Sequence, residues 1–279
     1  MIQTEERTHS LELYPTDNKN RIVLIMSGSD GGIHWARQIA KRFAKCGIAS
    51  CAMAYWKYKA LPKQLSLIPV EAVESAIKYL KALGYQKVAL YGVSKGAELA
   101  LLSASLFSDV GAVVAVSPPC AAFEGLSMRG YTEHSAWTYQ SAEVPFIPTG
   151  VGKFNTIAMY VKDGGYAFLK NFTAAFAHGF SEENCIKVEN ARCPILLLSA
   201  EDDSIWPATK MSNIIIAKLD AVGYQYPYRH ISFAKASHVL CPVQSIARKV
   251  FPQERKYPKE CEQARQAAFD AAIAWIQGM

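Results

Sequence analysis

The chain has 279 residues, 51% of them hydrophobic and 19% charged, with a formal net charge of +6. This length and balance suit a soluble globular protein with a sizeable core and exclude a disordered or repetitive chain. The longest apolar runs, 110–116 and 194–198, are far too short to cross a bilayer, and Lys and Arg are interspersed with Asp and Glu, so neither a membrane nor a nucleic acid is expected as a partner.

The N-terminus has no apolar h-region, and a cytoplasmic location is expected. Seven cysteines at 46, 51, 120, 185, 193, 241 and 261 include no C-x-x-C pair, which argues against a disulfide framework.

In chain order, Arg21 to Met26 reads as a buried strand ending in the Gly-rich segment Ser27-Gly28-Ser29-Asp30-Gly31-Gly32. A helix is expected from about Ile33 to Lys45, stopped by Gly47, and Ile48 to Ala54 is the next strand. Pro69 suits the first turn of another helix, on which Val70, Val73, Ile77, Leu80 and Leu83 share one face. Lys87 to Tyr91 is a strand, Lys95 opens a helix, and Gly111 to Val116 is a strand stopped by Pro118-Pro119. Strands alternating with helices in this way imply a parallel sheet with helices on both faces.

The alternation breaks down between about 120 and 190. This stretch is rich in glycine and aromatic residues, among them Phe123, Tyr131, Trp137 and Tyr160, with a helix expected from Tyr166 to Ala177. An excursion this long suits a lid or binding loop; extra packing elements on the sheet edge are the alternative. The alternation resumes with a strand from Pro194 to Ser199, a helix from Ala208 to Ala221, a strand from Tyr226 to Phe233 and a last helix from about Glu260 to Ile276.

Chemistry enters at Gly92-Val93-Ser94-Lys95-Gly96, between a strand and a helix. In that context the G-x-S-x-G pattern holds a serine on a sharp, strained turn at the carboxyl edge of the sheet. A serine hydroxyl is a poor nucleophile unless a base takes its proton and a carboxylate orients that base. Of the six histidines, His238 alone follows the last strand in a loop; His9 falls in an N-terminal strand or tail, His134 and His178 in the insertion, and His230 within a strand. Among Glu201, Asp202 and Asp203, the last is chosen because it lies in mid-loop, between the strand end at Ala200 and the helix start at Pro207. Ser94, Asp203 and His238 thus occur in the nucleophile, acid, base order of one large hydrolase class.

The backbone amide of Lys95 is one expected oxyanion donor, and Ser29 or Asp30 in the Gly-rich loop is the other. His34 and Trp206 are expected to line the substrate pocket, with a place on the helix surface as the alternative for His34. That Gly-rich loop lacks both G-x-G-x-x-G spacing and a P-loop lysine, and no cofactor or metal is expected.

These segments together resemble the C-terminal catalytic domain shared by acyl-CoA thioesterases and bile acid-CoA:amino acid N-acyltransferases. The resemblance runs from about Arg21 to Ile276. It rests on the Gly-rich turn, on Ala52-Met53-Ala54-Tyr55-Trp56-Lys57-Tyr58 followed by Leu61-Pro62, and on Gly92-Val93-Ser94-Lys95-Gly96-Ala97-Glu98-Leu99-Ala100-Leu101. Ala200 to Trp206 and Ala236-Ser237-His238 extend it. It implies an α/β-hydrolase fold, a mostly parallel central sheet flanked by helices with a lid-like insertion at about 120–190, and we expect residues 1–279 to form one domain. It also implies that the triad falls on Ser94, Asp203 and His238, and that a serine nucleophile, where the conjugating transferases use cysteine, favours hydrolysis. The family's larger members carry an N-terminal β-sandwich domain, and this chain begins about where their hydrolase begins.

The resemblance implies a small-molecule acyl thioester substrate, with acyl-CoA in first place, and the surplus positive charge would favour such a phosphorylated leaving group. A carboxylesterase or dienelactone-hydrolase-like enzyme for small esters is the alternative. A catalytically silent binding protein on the same fold is the reading from another class.

Overall fold

The computed structural model describes residues 3–6, 8–150 and 156–279. The chain opens with a hairpin, β1 (Gln3–Glu6) and β2 (His9–Tyr14), then alternates through β3 (Arg21–Met26), α1 (His34–Lys45) and β4 (Ser50–Ala54). A two-residue strand β5 (Ile68–Pro69), helix α2 (Glu71–Ala82), β6 (Lys87–Val93), α3 (Lys95–Leu106) and β7 (Val110–Val116) follow. The insertion holds β8 (Glu124–Ser127), β9 (Gly130–Ser135), β10 (Trp137–Tyr139), β11 (Ala142–Glu143), α4 (Thr156–Val161) and α5 (Ala167–Gly179). The chain ends with β12 (Ile195–Ala200), α6 (Ala208–Ala221), β13 (Tyr228–Phe233), α7 (Pro252–Lys256) and α8 (Pro258–Gln277).

Eight strands form the main sheet in the order β1-β2-β4-β3-β6-β7-β12-β13. β1 and β2 pair antiparallel, as do β2 and β4; every pairing from β4 to β13 is parallel. Parallel strands need long crossovers, and here helices supply them, so the central strands are covered on both faces. The run Ile22–Met26 is fully buried as a result. The edge strand β13 alternates between partly buried and exposed residues instead.

α3 is the innermost helix. Lys95 to Ala104 are all buried, in keeping with a helix apolar nearly all round, and it packs on both β6 and β7. Two charged residues, Lys95 and Glu98, are buried with it.

Two sequence expectations move. Pro69 does not open a helix: Ile68–Pro69 pairs in parallel with Trp137 and Thr138 of the insertion, and α2 starts at Glu71. A proline is tolerated there because β5 is an edge strand whose partner lies on one side only. The insertion, read as irregular apart from one helix, contains a β8–β9 hairpin and the small sheet β11-β10-β5. Residues 151–155 of the insertion lie outside the described residues. No helix among the described residues is long and apolar enough to cross a membrane.

Candidate active site

Ser94 sits between β6 and α3 with φ 56° and ψ −120°, a backbone conformation that a non-glycine residue adopts only under constraint. The constraint is visible on both sides. The Ser94 amide donates to the Val116 carbonyl at 2.8 Å, while the Ser94 carbonyl accepts from the amides of Ala97 and Glu98. A Cβ on Gly92 would lie 2.1 Å from the Gly96 carbonyl oxygen, and one on Gly96 would lie 2.3 Å from that of Met26. Both glycines are therefore required by the close approach of strand, helix and the neighbouring β3 end.

The loop after β3 presses against the serine. A Cβ on Gly28 would be 2.9 Å from the Ser94 Cβ and 3.4 Å from the Lys95 amide nitrogen. Two side chains from the end of β4 pin this loop: Tyr55 Oη donates to the Ser27 carbonyl at 2.6 Å, and Trp56 Nε1 to the Gly28 carbonyl at 3.3 Å. The Tyr-Trp pair that follows β4 thus shapes the turn beside the serine. Ser29 and Asp30 both border the cavity next to Ser94. Burial raises the Asp30 carboxyl to about 7, against the opposing pull of the Ser27 hydroxyl and the amides of Asp30 and Gly28. Its Oδ2 is buried and meets no hydrogen-bond partner.

At the ends of β12 and β13 the structure brings two other chosen residues together. His238 Nδ1 donates to Asp203 Oδ2 at 2.7 Å, with both side chains buried. The other oxygen, Asp203 Oδ1, accepts from the amide of Ile205 at 2.7 Å, so the carboxylate is oriented by its own loop. Asp202 instead lies within 3.4 Å of the Tyr166 hydroxyl, and Glu201 accepts from Ser232. The His238 backbone is held as well: its carbonyl accepts from Ser117 Oγ at 2.8 Å, and the preceding Ser237 donates to Glu254, which pairs with Arg265. Its ring lies between Trp206, edge-on at 5.5 Å, and Phe251, stacked at 6.2 Å.

Ser94 borders two spaces. The outer cavity, about 360 Å³, is shared with His238 and is walled by Trp35, Lys57, Val250 and Phe251 among others. The inner recess, about 30 Å³, is lined by Lys95, Glu124, Tyr131, Phe172 and Trp206 among others. Of the residues expected in the pocket, Trp206 lines the recess, buried and donating through Nε1 to the Ser117 carbonyl at 3.1 Å. His34 does not reach the site: it is exposed at the start of α1 with its ring 2.9 Å from Gln38 Nε2, and its neighbour Trp35 faces the cavity instead. A single residue step along the helix separates wall from solvent here, which loop position alone does not resolve.

The side chain of Lys95 turns inward, away from solvent. Its Nζ donates to Glu98 Oε1 at 3.1 Å and to the Phe123 carbonyl at 2.9 Å. Glu98 Oε1 also accepts from the Phe123 amide and from Trp137 Nε1 at 2.6 Å. Burial pushes the Glu98 carboxyl up and the Lys95 ammonium down, and their attraction opposes both. This pair ties the helix behind Ser94 to the insertion, and reading the sequence for catalytic types missed it. The available signal was Glu98 itself, a carboxylate within the apolar helix Ala97–Leu102.

Residues 68–251 match the family described as BAAT / Acyl-CoA thioester hydrolase C terminal. Human acyl-coenzyme A thioesterase 1 is 30% identical over 223 residues, which cover 79% of this chain and 49% of that protein. The mouse peroxisomal succinyl-coenzyme A thioesterase is 28% identical over 201 residues, 70% of this chain and 44% of that protein. The chain thus spans about half the length of the curated relatives it matches. Among solved structures, an esterase of Pyrococcus furiosus aligns with a TM-score of 0.58 at 16% identity, covering 99% of this chain and 91% of that one. An alpha/beta hydrolase enzyme from a Medee basin deep-sea metagenome library aligns with a TM-score of 0.58 at 16% identity, covering 99% and 94%. The fold is that of the α/β hydrolases, and the chain belongs to the BAAT / Acyl-CoA thioester hydrolase C terminal family.

Proposed function

We propose that this protein is a serine hydrolase that cleaves acyl thioesters, acyl-CoA in first place, through an acyl-serine intermediate, with Ser94 as nucleophile, His238 as base and Asp203 as the residue that orients it. One observation carries this reading: a serine on a strained elbow shares a cavity with a histidine whose far nitrogen is bound to a buried carboxylate at 2.7 Å. With Nδ1 committed to Asp203, the lone pair of His238 Nε2 is available toward the cavity.

In the first half-reaction Ser94 Oγ attacks the thioester carbonyl carbon as its proton passes to His238 Nε2. The developing oxyanion is met by the Lys95 amide and by an amide of the loop at Ser29, which Gly28 allows to approach. The tetrahedral adduct collapses, the C–S bond breaks, and the thiol departs with the proton from His238. In the second half a water gives a proton to His238 and adds its oxygen to the acyl carbon. Ser94 then leaves with that proton, and a carboxylic acid is released.

Lys57 on the wall of the outer cavity supplies positive charge suited to a phosphorylated leaving group. Relatives named as acyl-coenzyme A thioesterases support a thioester substrate.

The test is a fluorophosphonate probe followed by steady-state kinetics on acyl-CoA and aryl esters. Ser94 should be labelled, and Ser94→Ala should lose at least about 10⁴-fold in kcat. Aryl esters turned over with kcat/KM at least about a hundredfold above any thioester would instead make the protein a carboxylesterase (~2.7 kcal/mol of transition-state preference). An unlabelled Ser94, with weak hydrolysis unchanged by Ser94→Ala, would leave a binding protein.

A further inference from the structure

The two spaces beside Ser94 are unequal, and the chemistry decides which half of a substrate enters each. The departing atom takes its proton from His238, so the leaving group occupies the space that His238 borders, and this is the outer cavity of about 360 Å³. The acyl group then lies on the other side of Ser94, in the recess of about 30 Å³ that Lys95 and Trp206 line.

The far end of that recess is built from packed aromatic side chains. Phe172 of α5 meets Trp206 edge-on at 5.3 Å, Tyr131 at 5.9 Å and Phe123 at 5.1 Å. All four rings are buried, so among the described residues Trp206 and the insertion's Phe123, Tyr131 and Phe172 pack the space at the far end of the recess. The polar lining is engaged too. Glu124 accepts from the amides of Glu133 and Thr149 and from Thr149 Oγ1, each at 2.7 Å. Lys95 is paired with Glu98. Among the described residues, the carboxylate of Glu124 borders the recess without a cation in hydrogen-bond contact.

We propose that the enzyme selects short, uncharged acyl groups of roughly two to four carbons, since a space this size holds about one or two water-sized groups and Glu124 repels a carboxylate. This rests on the proposed acyl transfer to Ser94 but not on the identity of the leaving group. The recess bounds thioesters and oxygen esters alike, which keeps the two readings separable.

The experiment compares kcat/KM for acetyl-, butyryl-, octanoyl-, palmitoyl- and succinyl-CoA with the 4-nitrophenyl esters of acetic, butyric, octanoic and palmitic acids. Octanoyl and succinyl substrates should fall at least about tenfold below butyryl. Phe172→Ala should raise octanoyl relative to butyryl about tenfold, with Phe172→Leu as the milder variant if the alanine protein does not fold. Rates that climb toward palmitoyl, or succinyl turned over as well as butyryl, would overturn the inference while leaving thioester hydrolysis intact. If no thioester reacts but the esters show the same cut-off, the thioester reading fails and the recess retains its role.

Discussion

Two regions meet at Ser94: loops that leave the sheet at the ends of β3, β6, β12 and β13, and side chains of the insertion, which reach both neighbouring spaces, Glu124, Tyr131 and Phe172 in the recess and Leu126, Tyr160 and Val161 in the outer cavity. The sheet side is held by the main chain: the Ser94 amide on Val116, the His238 carbonyl on Ser117, and the Asp203 carboxylate on the Ile205 amide. The insertion side is held by ring packing and by one buried ion pair, Lys95–Glu98. Fixed backbone suits groups that must meet a reacting atom within a fraction of an ångström, whereas packed side chains define a volume and can be exchanged for others. Substitutions on the sheet side should therefore change kcat, and those on the insertion side should change which substrate is accepted.

The largest effect that separates the two sides is expected at Asp203. Asp203→Asn keeps the shape but offers His238 the wrong partner, and kcat should drop by about 10³–10⁴-fold with KM changed little. A loss confined to KM would place Asp203 outside the chemistry. Next comes Glu98, which joins the two sides through Lys95, the Phe123 amide and the Trp137 indole. Glu98→Ala should cost about 3–5 kcal/mol in urea unfolding, because it leaves a buried ammonium and a buried indole N–H without their acceptor. Unchanged stability would mean that the insertion is fastened some other way.

Asp30 offers a pH test of the sheet side. Its carboxyl titrates near 7 in the folded protein against a usual value of 3.8, so the folded state binds more protons between those values than the unfolded one. Its contribution is most favourable below about 4, declines as pH rises toward 7 and is lost above it. Asp30→Asn should therefore gain in Tm relative to the wild type between pH 5 and pH 8, by about 2–4 °C or more. Parallel Tm profiles for the two proteins would remove Asp30 as the cause. The smallest effect is expected at Lys57. Lys57→Ala should raise KM for acyl-CoA about three- to tenfold and leave 4-nitrophenyl esters unaffected, as for a charge that meets only the phosphorylated leaving group. An equal change for both substrates would make Lys57 part of the cavity wall and nothing more.

The helices and parallel strands of the sheet were legible because their signals are local. Short apolar runs, helical spacing and terminating glycines marked the parallel strands of the main sheet and the helices α1, α2, α3, α5, α6 and α8, but not α4, α7, the N-terminal hairpin or the short strands β5 and β8 to β11. The elbow was legible for the same reason, as five consecutive residues between a strand and a helix. Pro69 was misread because its strand partner, Thr138, lies some seventy residues away in a segment without regular period. His34 was misplaced because a helix start can face pocket or solvent with the same sequence. Glu124 and Phe172 gave no sign of lining a substrate recess, since a carboxylate in a short strand and an aromatic residue on an amphipathic helix read alike in any globular protein.

By itself, the sequence determined that a serine would stand on a sharp turn at the end of a parallel strand, with an acid loop and a histidine loop after later strands, because each depends on neighbours within a few residues. Tertiary structure alone decided that Lys95 and Glu98 are buried as a pair, that Trp35 rather than His34 faces the cavity, and that side chains of the insertion border both spaces beside Ser94. Those outcomes depend on which side chains meet across long stretches of chain, and that is settled by packing and by the need of every buried charge for a partner.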